Sequence, residues 1–138
     1  MSESLDDDLR IAVLRLSRRM RLERATTDVT DGQLSVLFVL WREGAQTLGS
    51  LSEHERVTPP SMNRTVNALV EAGLLDRAGS AEDGRKIVLT VTDTGLSLVR
   101  ETRRRRDDWI AKRILKLTPE QRHVLAAATD IMKELANS

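Results

Sequence analysis

The sequence predicts a mainly α-helical chain with a small β-hairpin wing, an α+β fold in which helices at both ends surround a compact centre. Two observations carry this expectation. Apolar residues recur at helical spacing through most of the 138 residues. The period changes to two in one place only, where LLDRA and KIVLTVT stand on either side of the polar, glycine-bearing GSAEDGR. A hydrophobic fraction of 40% beside 31% charged residues suits a folded core and excludes a disordered chain. No apolar run nears the roughly 20 residues that a bilayer requires.

The first helix is expected from Leu5 to Arg24, with Leu5, Leu9, Val13, Leu16 and Met20 on one stripe and Ile11, Ala12 and Leu14 widening it. A helix apolar on more than one face needs more than one neighbour. ATTDVTDGQL interrupts the pattern. Thr30 and Gln33 then have capping-box spacing for a second helix, which carries Leu34, Leu37, Phe38 and Trp41 on one face and stops near Gly44. After Gln46 and Thr47, LGSLSEHERV gives a short helix. Thr58 can cap the next one, with Pro59 at its first position, where a missing amide hydrogen costs nothing. That helix runs to about Ala72, and Gly73 stands where a left-handed cap is expected. Beyond the two strands, a long helix from about Asp93 to Lys116 passes through ETRRRRDD. A second capping box, Thr118-Pro119-Glu120-Gln121, opens a last helix with Val124, Leu125, Ala128, Ile131, Met132 and Leu135.

Composition removes several functions. With no cysteine there is no disulfide, no thiol switch and no sulfur-based metal site. His54 and His123 have no metal-ligand spacing, and neither is placed to activate a serine. No P-loop and no Gly-X-Ser-X-Gly elbow is present, so neither catalytic residues, nor a cofactor, nor a metal is expected. The start MSESLDDDLR is acidic where an export signal needs a basic segment, and a cytoplasmic protein is expected. Lys and Arg number 22 against 21 Asp and Glu, so any case for nucleic acid must come from local arrangement.

That arrangement lies in the centre. The helix Leu48 to Arg56, a turn through Val57 and Thr58, and the helix Pro59 to Ala72 make a helix-turn-helix, whose second helix can enter a major groove. At about 100° per residue, Met62, Val66, Leu69 and Val70 share one face, while Pro60, Ser61, Arg64, Asn67, Ala68 and Glu71 lie opposite, with Asn63 and Thr65 on the borders. The outward face offers a guanidinium, amides and hydroxyls, the groups that grip guanine, adenine or phosphate. Open amides at the helix start are expected to favour a phosphate. A two-stranded ribbon directly after such a unit marks the winged variety. Its tip, Asp83-Gly84-Arg85-Lys86, puts two cations at the most protruding point, and arginine suits a narrow minor groove. Asp83 is expected to pair with a nearby arginine and fix the loop.

From residue 5 to residue 136 the chain resembles the MarR family of bacterial transcription regulators. The most specific matches are TPPSMNRTVNAL and LVEAGLLDRAGSAEDGRKIVLTVTDTG. The resemblance implies a winged helix-turn-helix over 31–92 and a helical dimerisation region from 1–30 and 93–138. It also implies major-groove readers at Ser61, Asn63, Arg64, Thr65 and Asn67, and a minor-groove arginine at Arg85 in the Asp83-Gly84-Arg85 wing motif beside Lys86. Arg77 would meet a phosphate or brace the wing. The implied partners are double-stranded DNA and a second copy of the chain, with room for a phenolic or aromatic small-molecule effector.

Two features fit this picture less well: the redox sensors of the family use cysteine, which this chain lacks, and the centre carries little positive charge. Residues 57–99 hold four cations against five acids, so DNA binding would rest on a few local contacts. Residues 100–116 instead carry about +5, centred on Arg103-Arg104-Arg105-Arg106. Such a run reads first as a solvated helix face partly paired with neighbouring acids, and otherwise as a steering patch for DNA or an acidic effector. Trp41 and Trp109 are expected to pack in the core rather than to line an aromatic pocket. The weak central charge also keeps open a rival from another class, a winged domain that has lost DNA binding and works on a partner protein.

Overall fold

Each predicted cap is formed, and the caps divide the chain into its elements. In the computed structural model, which describes residues 4–79 and 87–138, the order is α1 Leu5–Arg21, α2 Asp31–Glu43, β1 Gln46–Thr47, α3 Leu48–Glu55, α4 Pro59–Glu71, β2 Leu75–Gly79, β3 Ile87–Val91, α5 Asp93–Ile114 and α6 Pro119–Ala136. Thr30 and Thr118 each accept from the backbone N–H of Gln33 and Gln121, whose side chains answer the capping residue's own N–H. Gly73 takes φ +77°, and α4 closes with Leu74 N–H donating to Leu69 O and Gly73 N–H to Val70 O. This is the six-to-one, five-to-two closure that a left-handed glycine permits.

The strands form an antiparallel sheet in the order β1-β3-β2. β1 is a departure from expectation, because two residues are too few to show an alternation. Gln46 pairs with Leu89 and Thr47 with Val88, while the Thr47 hydroxyl caps α3. On β3, alternate residues Ile87, Leu89 and Val91 are buried to very different degrees. Leu89 is buried, Val91 is half-buried, and Ile87 is 54% exposed because the ribbon there runs past the core.

The core is built on α2. Leu34, Val36, Leu37, Val39 and Leu40 are all buried, so this helix is enclosed on more sides than the single predicted face. Leu51 of α3, Met62, Val66 and Leu69 of α4, Leu75, Leu89 and Val99 complete it. Phe38 and Trp41, expected on the inner face of α2, are half-buried at its edge. Gly95, in the first turn of α5, allows the closest approach. A Cβ there would stand 2.3 Å from the Leu74 carbonyl oxygen and 2.8 Å from Val91 Cγ1.

α1 ends three residues before the predicted Arg24. The residues just beyond it bond to α5 instead. The Ala25 N–H donates to the hydroxyl of fully buried Thr102 at 3.2 Å, Arg105 donates to Arg24 O at 3.3 Å, and Arg106 to Glu23 O at 3.1 Å. By contrast, α1 and α6 contain no buried residue at all.

Candidate nucleic-acid interface

The orientation predicted for α4 holds. Met62, Val66 and Leu69 are buried at 2% exposure or less, and Asn63, Arg64, Asn67 and Glu71 are exposed. Ser61 and Thr65 are half-buried, with the Thr65 hydroxyl donating to Ser61 O at 3.3 Å. The inner face fixes the helix against α2 and α3, so the outer side chains project from a rigid support. α3 is anchored in turn by Ser35 of α2, which donates to Glu55, while the buried Ser52 hydroxyl is satisfied inside the helix by Leu48 O. Between α3 and α4 the chain turns through Arg56 at φ 55°, the one described non-glycine residue in the left-handed region.

The start of α4 corrects the expectation of open amides. Pro59 and Pro60 have no N–H, the Ser61 N–H donates to Thr58 Oγ1, and the Met62 N–H to Thr58 O. None of the first four residues of α4 therefore leaves a backbone N–H for a phosphate. Contact from this helix must come through side chains.

Arg77, expected to meet a phosphate or brace the wing, reaches from β2 to the other element. Its Nη2 donates to Asn67 Oδ1. Asp83, Arg85 and Lys86 lie outside the described residues, as does the pairing expected of Asp83.

The arginine run is largely the solvated, acid-paired helix face expected of it, with Arg103, Arg104 and Arg105 exposed and only Arg106 half-buried. Arg104 bridges Glu101 at 2.7 Å and Asp108 at 3.0 Å, Arg105 meets Glu101 at 3.0 Å, and Arg103 stands 3.9 Å from Asp107. The Arg104 and Arg105 hydrogen bonds hold the Glu101 carboxyl at about 2, against desolvation that works the other way. Arg103 lies over the Trp41 ring at 4.9 Å and Arg106 over Phe38 at 5.4 Å, which joins α5 to the edge of α2. Burial lowers the pKa of Arg106, the member set deepest. Trp109 is buried as expected, with Arg113 stacked at 3.8 Å and Arg19 of α1 at 5.4 Å.

A cavity of about 390 Å³ opens between α1, α2 and α5. Ser17, Arg21, Ser35, Phe38, Arg42 and Arg106 line it together with Asp31 and Leu34. Three arginines around a phenyl ring form a setting for an anion that carries a flat apolar body.

A profile of the MarR family matches residues 29–87, the span from α2 to the start of β3. The HTH-type transcriptional regulator Mb0904 of Mycobacterium bovis is 41% identical over 133 residues, covering 96% of this chain and 93% of that protein. The chain belongs to the MarR family. This MarR protein is therefore a helix-turn-helix transcription regulator and not an enzyme. The crystal structure of RV1404 from Mycobacterium tuberculosis superposes with a TM-score of 0.82 at 27% identity, covering 97% of this chain and 96% of that one. BpsR of Bordetella bronchiseptica, whose DNA binding is regulated by 6-hydroxynicotinic acid, shares the fold with a TM-score of 0.74 at 22% identity, covering 100% and 96%. Among the described residues, no helix is long and apolar enough to cross a membrane.

Proposed function

We propose that this MarR-family chain is a homodimeric, sequence-specific DNA-binding regulator of the cytoplasm, a ligand-responsive repressor on a pseudopalindromic operator. The observation that carries the reading is α4 itself. Its apolar side is sealed into the core, while Arg64, Asn63 and Asn67 stand outward on the helix that follows the turn. Ser61 and Thr65 border that face, and Arg85 and Lys86 would add the minor-groove contact from the wing.

Unpartnered apolar surface supports the dimer. The chain exposes 10076 Å², whereas a compact monomer of 15.5 kDa exposes about 7,200 Å². The excess of about 2,900 Å² per chain, roughly 5,800 Å² over two protomers, matches the largest permanent interfaces. It is concentrated on the terminal helices, with Leu14 53%, Val124 67%, Ile131 58% and Leu135 56% exposed. Residues 1–30 and 93–138 are accordingly assigned to dimerisation and 31–92 to DNA binding. Two recognition helices related by a two-fold axis would read half-sites about one helical turn apart. An anionic aromatic effector in the Arg21–Phe38–Arg106 cavity would change the tilt of α1 and α5 and hence that spacing, and it acts only by binding one spacing more tightly than the other.

Selection of bound fragments from random DNA tests the reading, with an inverted repeat as the expected product. Arg64→Ala then costs about 1–3 kcal/mol and relaxes one base position, whereas Arg85→Ala weakens all sequences evenly. A partner-protein module, favoured by the net charge of about −1 over residues 57–99, would recover no repeat and be indifferent to both substitutions.

A further inference from the structure

The turn between α3 and α4 carries a cation on a strained backbone. Arg56 closes α3 at φ 55° and ψ 44°, the left-handed conformation in which a helix end mostly places glycine. The turn is fixed around it. The Arg56 N–H donates to Glu53 O at 3.2 Å, the Val57 N–H donates to Ser52 O at 3.1 Å, and Thr58 then caps α4. Glycine would take the same backbone with no Cβ to strain it, and it would bring no guanidinium.

That guanidinium is exposed, and among the described residues it forms no ion pair. Glu55, next to it in the chain, is held by the Ser35 hydroxyl at 2.7 Å. Between residues 43 and 84 the only other Lys or Arg are Arg64, in the second turn of α4, and Arg77 on β2, which reaches Asn67 one turn further along. Arg56 is therefore the cation at the entrance of α4, where two prolines and the Thr58 cap leave no amide for an anion. When the second helix of such a unit lies in a major groove, the first crosses the DNA backbone. The turn that joins them passes the phosphates along the edge of the groove.

Building on the DNA-binding reading above, we propose that Arg56 is a phosphate anchor that positions α4 in the groove, and that its left-handed backbone is strain tolerated for this contact. The ligand is one phosphate of the DNA backbone, gripped by charge and by the forked N–H donors of the guanidinium. The contact sets register and adds affinity without reading a base.

The test uses duplexes selected from random DNA and full-length wild type, Arg56→Gly, Arg56→Gln and Arg56→Lys, titrated by fluorescence anisotropy from about 50 to about 300 mM KCl. Thermal unfolding by circular dichroism is measured on the same samples. A dimer loses one contact per protomer, so Arg56→Gly and Arg56→Gln are expected to lower the slope of log Kd against log salt by about two. Both should weaken every duplex alike, by roughly tenfold or more near 100 mM salt. Arg56→Lys keeps most of the slope, because an ammonium meets phosphate as a point charge. Arg56→Gly should unfold at a higher temperature than the wild type, so its weaker binding is not a loss of fold. A cation that only complements the C-terminal dipole of α3 gives the opposite pattern, with Arg56→Gln less stable and the slope unchanged. An unchanged slope in Arg56→Gly and Arg56→Gln overturns the proposal, as does a loss of affinity confined to one base position. Failure of the wild type to select any repeat overturns the DNA-binding reading itself, an outcome distinct from these two.

Discussion

Gly95→Ala tests the junction between the long helix and the root of the wing. The added Cβ would stand 2.3 Å from Leu74 O and 2.8 Å from Val91 Cγ1, well inside contact distance for both. Neither neighbour can withdraw cheaply. Leu74 O accepts the Thr92 N–H at 3.1 Å, and Leu74 itself is buried just before β2, while the Thr92 hydroxyl is tied to Gly73 O at 2.7 Å. Helix and strand must therefore move apart as units, which belongs in the upper part of the over-packing range, about 2–3 kcal/mol. For a chain of this size that is a fall in Tm of roughly 6–15 °C. Gly49→Ala is the opposite-sign control. It lies within α3 with nothing within 4 Å of the new carbon, and the gain in helix propensity should stabilise by about 0.5–1 kcal/mol. Urea unfolding followed by far-UV circular dichroism, at one fixed protein concentration, measures both. A Gly95→Ala protein within about 0.5 kcal/mol of the parent at unchanged m-value would refute the steric argument.

Three further outcomes follow from other parts of the fold. Arg56→Gly should stabilise by roughly 0.5–1 kcal/mol in the same assay, since the left-handed backbone at φ 55° strains any residue with a Cβ and glycine returns part of the gain as chain entropy. Glu101→Gln should change the acid limb of the stability curve. The folded carboxyl is held at about 2 against an ordinary 4.5, so its stabilisation is present in full above pH 4.5 and vanishes as pH falls through 2. Wild type and variant curves should thus converge on acidification between those values. Val124→Asp, on a helix with no buried residue, should shift the sedimentation coefficient toward that of a monomer while the far-UV spectrum keeps its helical shape. An unshifted boundary would remove Val124 from the interface.

Much of this was legible from local chemistry. Threonine caps, the proline at the start of α4 and the glycine at its end each specify an element boundary through one residue's geometry, and they held. What escaped was set at long range. β1 owes its existence to pairing with Leu89 and Val88, more than 40 residues downstream, and has no periodicity of its own. The early end of α1 depends on Thr102, Arg105 and Arg106, which the sequence shows only as members of a helix with a charged run. The outward face of α4 followed from helical angles alone. The commitment of Asn67 to Arg77, and the sealing of the Ser61 amide by Thr58, needed coordinates, because a side chain's identity says what it can bond and not what it already has.

The fastening of residues 23–25 to the middle of α5 makes that helix a lever with its fulcrum near Thr102. Nine residues separate this point from Asp93, an arm of about 13 Å at the usual rise. Swinging it by 5° carries the wing-side end by about 1.2 Å, and in a symmetric pair the second protomer would double that displacement across the axis. A small molecule wedged beside Arg106 would thus work close to the pivot, where a small displacement becomes a larger travel at the far tip.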